Sequence, residues 1–159
     1  MPRLFAAALI AFLAVGPALH AQPGESPRPD PTRADPTRGN VLRVAVQNVT
    51  SADGHVRVDV CTRSEFLSQC RYGGSAPATR GVTTVEVRDL PPGVYAVQAY
   101  DDQNDNRRVD RNVLGLPKEA VGFSNDAPVG LHGPSFKGAA FTYVGGEQTI
   151  SLRIRRYFP

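Results

Sequence analysis

Leu42-Arg43-Val44-Ala45-Val46-Gln47, the turn signal Asp53-Gly54, and Val56-Arg57-Val58-Asp59-Val60 make up the stretch on which the fold turns. Apolar and polar residues alternate with period 2, the spacing that sends one row of side chains into a core and the other into water. The two runs flanking Asp53-Gly54 read as a hairpin. The alternation recurs outward along the chain: Val85 and Val87 flank Glu86, Tyr95, Val97 and Ala99 share a face, and Phe141 and Tyr143 mark a short strand. Ile150, Leu152 and Ile154 close the chain against Ser151, Arg153 and Arg155. No stretch of helical length shows a 3.6-residue period, and Ser64 to Gln69 supplies one helical turn at most. Short strands between turns over residues 41–159 predict an all-β domain, an antiparallel two-sheet sandwich with a single closed barrel as the alternative. That length suits one core and is short for two domains.

Upstream, Arg3 precedes an apolar run from Leu4 to Val15, broken by Gly16-Pro17 and followed by small residues. This predicts a signal peptide over residues 1–21, with cleavage after Ala21 or Ala18, and a run too short for a membrane span of roughly 20 apolar residues. No later segment comes close to that length of apolar chain, so no transmembrane segment is expected after cleavage. Residues 22–40 hold five prolines and a duplication, Asp30-Pro31-Thr32-Arg33 and Asp35-Pro36-Thr37-Arg38. Such a segment buries too little surface to offset its ordering entropy and is expected to be a flexible, Pro-rich tether.

Export places the mature chain in the periplasm or outside the cell, where thiols tend to be oxidised. Cys61 and Cys70 are the only two cysteines. A local disulfide is favoured over two free thiols, and a pair of sulfurs without a nearby histidine falls short of the four ligands of a structural zinc site. From residue 41 onward 14 Lys or Arg stand against 12 Asp or Glu, scattered along the chain. Arg153, Arg155 and Arg156 are spaced as the solvent face of the last strand, so no nucleic-acid partner is expected.

The densest chemistry lies at Asp101-Asp102-Gln103-Asn104-Asp105-Asn106-Arg107-Arg108-Val109-Asp110. Calcium takes six to eight oxygens, which a turning loop supplies from its residues 1, 3 and 5, a carbonyl at 7, and residue 9. These places fall on Asp102, Asn104, Asn106, the Arg108 carbonyl and Asp110, making calcium the candidate cofactor. The glycine expected at position 6 is Arg107, and the glutamate expected at 12 is Val113. An ion-pair network in which Arg107, Arg108 and Arg111 neutralise the carboxylates explains the same residues, as does an ordinary Asx-rich turn. Glu119 adds a ligand only if the following loop folds back.

Gly115 to Asp126 and onward to Phe141 shows no clear strand pattern. Loops of that length are functional or disordered. Phe123, Leu131 and Phe136 are the expected anchors of a loop covering one end of the sandwich. Hydrolase chemistry finds little support: Gly122-Phe123-Ser124-Asn125-Asp126 lacks the second glycine of a nucleophile elbow, and His55 and His132 are isolated in sequence and read as surface and loop residues.

Asp89-Leu90-Pro91-Pro92-Gly93-Val94-Tyr95-Ala96-Val97 looks like the strand-turn-strand signature of prealbumin-like and other immunoglobulin-like secreted sandwiches. Asp101 through Asp110, Gly115-Leu116-Pro117-Lys118-Glu119-Ala120-Val121-Gly122-Phe123-Ser124-Asn125, and Pro134-Ser135-Phe136 with Ala139-Ala140-Phe141 together resemble the bacterial exported family known as domain of unknown function 2141. The resemblance spans nearly all of residues 41–158 and implies export and a β-sandwich. The family's usual acidic loop reads Asp-x-Asn-Gly-Asn-Gly followed by Asp. Here Asp105 and Arg107 replace the two glycines, and Asn106 is the residue expected to take the left-handed turn instead.

The sequence therefore predicts an exported, non-enzymatic binding or interaction module of unread ligand, with calcium stabilising the Asp101–Asp110 loop. The alternatives are a periplasmic hydrolase using the loop carboxylates and His132, and a purely structural cell-envelope protein.

Overall fold

The computed structural model describes residues 39–130 and 133–157. The predicted signal peptide, nearly all of the linker, Leu131 and His132 lie outside these described residues. Among the described residues eight strands form in chain order: β1 (Val41–Val49), β2 (His55–Cys61), β3 (Tyr72–Pro77), β4 (Gly81–Arg88), β5 (Gly93–Asp102), β6 (Val121–Phe123), β7 (Phe141–Tyr143) and β8 (Glu147–Arg153). The only α-helix among the described residues, α1 (Phe136–Ala139), is one turn long.

One sheet has the order β4-β1-β8, the other β3-β2-β5-β6, with β7 also paired to β5. The all-β two-sheet architecture is thus the one the alternation predicts. Every pair is antiparallel except β1 with β8, which run parallel over Val41–Gln47 and Glu147–Arg153. Leu42, Val44 and Val46 of β1 meet Val56, Val58 and Val60 of β2 and Val85 and Val87 of β4 in a single core, all at 1 % exposure or less. Each such valine contributes about 1.5–3 kcal/mol by leaving water. Tyr95 enters the core edge, where its hydroxyl donates to the Pro91 carbonyl at 3.0 Å, tying the Pro-Pro-Gly corner to the strand it starts.

Two local expectations fail. Asp53-Gly54 does not join a hairpin, because β1 and β2 belong to different sheets. A bulge at Asn48, whose φ is 67°, interrupts the β1 ladder one residue before its end at Val49, and the Asn48 amide donates to the Ile154 carbonyl; beyond it the chain crosses between sheets. Alternation fixes which face a residue takes and is silent on which strand lies beside it. The segment before Phe141 also contains a strand, β6, and it covers the outer face of the five-stranded sheet rather than one end of the sandwich. On that face Ala96 and Tyr100 of β5 bury against Val121, Phe123, Phe136 and Ala139, with Phe66 edge-on to both Phe123 and Phe136. Strand β5 is consequently buried on both sides.

The sandwich edge at β3 is held by close backbone approach: a Cβ on Gly74 would stand 2.5 Å from the Glu86 carbonyl oxygen. Cys61, at the end of β2, is bonded to Cys70 with α-carbons 4.9 Å apart, inside the range a disulfide requires. Arg153, Arg155 and Arg156 are exposed. Among the described residues no helix is long and apolar enough to cross a membrane.

Candidate functional site

The acidic loop leaves the end of β5, and the register of β2 against β5 decides what it meets. Arg57 lies opposite Tyr100, and His55 opposite Asp102. Gly54 is what lets the β2 entry sit so close: its φ is 66°, and a Cβ there would stand 2.0 Å from the Asp102 carbonyl. Asp102 has no exposed surface. Burial pushes its carboxyl toward the neutral form, but an ion pair with Arg57 Nε and backbone N–H donors from Arg107 and Asn106 outweigh that and hold its pKa below the usual value.

Of the five residues expected around calcium, three side chains converge. Asn104 and Asn106 both donate through their amides to Asp110, at 2.9 Å each. Asp102 is turned instead to Arg57, and Arg108 reaches Asp110 at 3.8 Å through its side chain. Among the described residues no three His, Cys, Asp or Glu side chains gather as for a metal ion. The left-handed positions are Asp105, φ 57°, and Arg107, φ 64°, not Asn106. Asn106 is unavailable for the turn because its amide oxygen accepts Arg108 N–H in an Asx turn while its own N–H is held by Asp102.

The loop does fold back onto Glu119. Lys118 N–H donates to the Asp110 carbonyl at 2.8 Å, and Asp110 N–H donates to Glu119 Oε2 at 3.3 Å. Glu119 is 8 % exposed, and burial, with the charges of Asp102, Asp110 and Asp101 nearby, pushes its pKa up to about 7. Asp101 faces the other side of the strand; its Oδ1 is buried without a hydrogen-bond partner, and burial raises its pKa against the Gln103 bond. His55 Nδ1 stands 2.6 Å from Asp105 Oδ1, so this turn histidine belongs to the loop's support.

Beyond the ion pairs, residues 110–118 make a small hairpin. Asn112 Oδ1 accepts the N–H groups of Leu114 and Leu116, and Arg111 donates to the Gly115 carbonyl. Together with Val129, Gly130, Gly133, Pro134 and Tyr157, this loop borders a cavity of about 1140 Å³ whose floor is the outer face of the five-stranded sheet, at Gln98 and Tyr100. Val121, Phe123 and Leu116 give it apolar walls, and Arg107, Arg108 and Arg111 line it with charge. Asp59 is held there by Gln98 at 3.2 Å, with burial raising its pKa, and burial together with that carboxylate pushes Tyr100 up to about 12.

The acidic spacing could be read from sequence. Arg57, His55 and Tyr100 could not, since they reach the site only through strand pairing. The family model described as uncharacterized protein conserved in bacteria (DUF2141) matches residues 44–151, and the chain belongs to that family. No curated protein and no solved structure matches it.

Proposed function

We propose that this member of the DUF2141 family is an exported, non-enzymatic binding module whose ligand occupies the cavity between the outer face of the five-stranded sheet and the loop of residues 103–117. The observation that carries the reading is the cavity itself. It is a half-open groove of about 1140 Å³, enough for a small molecule, it pairs apolar walls with a few charged groups, and it is bordered by a loop held by its own hydrogen bonds. The Cys61–Cys70 disulfide supports export, since such bonds persist in oxidising compartments.

A hydrolase finds less support. The histidine of that reading, His132, lies outside the described residues, and His55, the one histidine among them, is bonded to Asp105 with no hydroxyl or thiol hydrogen-bonded to it. Calcium is a narrower reading, suggested by the closeness of Asn104, Asn106 and Asp110, and it requires Arg57 to release Asp102 and the Asn104 and Asn106 oxygens, which accept the Asn106 and Arg108 N–H groups, to turn toward Asp110 in place of their amide nitrogens. An ion that binds only the folded state raises its melting temperature. A rise with millimolar calcium that Asp110→Ala abolishes supports the ion, while an unchanged melting curve leaves the loop held by Arg57 and its own hydrogen bonds.

The test of the binding reading is titration with the neutral apolar dye N-phenyl-1-naphthylamine, followed by fluorescence and by amide chemical shifts. Saturable binding with shifts concentrated at Gln98, Tyr100 and Val121 is expected. Absence of binding, or shifts spread over the opposite sheet, would overturn it.

A further inference from the structure

We infer that the cavity takes a single-chain amphiphile with one carboxylate, and that Arg107 is the residue that reads its anionic head; this rests on the binding-module reading above. Val121, Phe123 and Val129 offer an alkyl chain an apolar wall, and the three arginines supply complementary charge. They are not equally available. Arg108 lies 3.8 Å from Asp110, and Arg111 donates to the Gly115 carbonyl. Arg107 is tied down only through its backbone N–H, which Asp102 accepts, and its guanidinium has no hydrogen bond or ion pair among the described residues. It lines this cavity and also the adjoining one of about 310 Å³ beside Arg57 and Ser75. The lining acid Asp59 is already engaged by Gln98. A guanidinium presents paired donors that match a carboxylate in two parallel bonds, so the exposed, unengaged one of Arg107, lining a groove that also has apolar walls, is suited to an anionic head group.

Arg107 is held at φ 64°, a conformation that glycine adopts freely and a side-chain-bearing residue pays for in stability. Asn48, Leu67, Asp89, Asp105, Asn125 and Asp126 share this left-handed φ, so it does not mark a binding residue, but it lets Arg107→Gly remove the guanidinium while relieving strain.

The experiment is calorimetric titration of the disulfide-bonded protein with three ten-carbon probes, decanoate, 1-decanol and decyltrimethylammonium, below their aggregation concentrations. Decanoate is expected to bind tightest. Arg107→Gly is expected to raise Tm by about 2–4 °C by relieving the left-handed strain, while weakening decanoate roughly tenfold or more and leaving decanol unchanged. A residue with only a structural role would not move stability and affinity in opposite directions. Arg107→Met, which keeps the side-chain bulk and the strain, should bind decanoate as weakly as Arg107→Gly, and Arg107→Lys should recover part of the affinity. Equal affinity of the wild type for decanoate and decanol, or full decanoate affinity in Arg107→Met, overturns the role of Arg107. If none of the three probes binds, it is the binding-module reading that fails.

Discussion

Asp102 has no exposed side-chain surface and is nevertheless held ionised, because Arg57 and two backbone N–H groups compensate what burial removes. This single carboxylate organises the loop. It fixes Asn106 and Arg107 by their N–H groups, and through them it places Asp110 and the Arg107 side chain. Removing its partner is therefore more disruptive than the exposure of Arg57 suggests, since a buried charge left unpaired costs more than an intact pair contributes. Arg57→Met is expected to lower unfolding free energy by about 2–4 kcal/mol in urea titrations, the two backbone donors sparing part of the full penalty. Arg57→Met with Asp102→Asn should recover much of that loss, because no unpaired charge then remains. If the double variant is as unstable as Arg57→Met, the ion pair is not what the loop depends on.

At the scale of elements, legibility followed side-chain alternation. Strands β1, β2, β4, β5 and β8 declare themselves because every second residue is a large aliphatic or aromatic one with a core to enter. Strand β3 does not: Gly73-Gly74-Ser75 carries almost no side chain, and it must not, since Gly74 sits where any Cβ would strike the Glu86 carbonyl. Strand β6 is hidden for a different reason, being three residues long and buried on both faces, so it shows no alternation at all. The candidate site divides in the same way. Asp102, Asn104, Asn106 and Asp110 are spaced within one loop and visible there, whereas Arg57 and His55 join them across the β2–β5 ladder, which no local pattern encodes. The connection from β2 to β3 carries the disulfide, across nine residues. By loop-closure entropy so short a crosslink stabilises by about 2–3 kcal/mol. Reduction should lower Tm by roughly 10 °C while the amide spectrum keeps its strand pattern, because the core cluster of β1, β2, β4 and β5 reaches only as far as Val60 on β2 and includes neither Cys70 nor the turn the bond closes. Loss of the strand pattern on reduction would instead make the bond a condition of folding.

For the molecule as a whole, the buried acids set how stability responds to pH, and their signs oppose. Asp102, held below its ordinary pKa, contributes stability that is present above about pH 4 and lost as pH falls below it. Glu119 acts the other way. Its carboxyl titrates near 4.5 in the unfolded chain and near 7 in the folded one, so between those values the folded state binds more protons and stability falls as pH rises. Asp59 and Asp101, both raised by burial, add to that fall from about pH 4 upward. Stability should therefore peak near pH 4–5 and decline toward pH 8, with Glu119 contributing at most about 3 kcal/mol of the decline. Glu119→Gln keeps an acceptor for the Asp110 N–H and removes the titration beside Asp101, Asp102 and Asp110. Urea unfolding at pH 5 and pH 8 distinguishes the two chains: the wild type should lose stability over this interval, and Glu119→Gln should lose markedly less. Equal losses in both would place the pH response elsewhere and return Glu119 to an ordinary, solvated carboxylate. The Asp110 N–H bond favours the ionised carboxyl, so any loosening of the 110–118 hairpin comes from burial of the charge and repulsion by Asp101, Asp102 and Asp110, and amide exchange at Leu116 is expected to quicken between pH 5 and pH 8 beyond its intrinsic base catalysis in the wild type but not in Glu119→Gln.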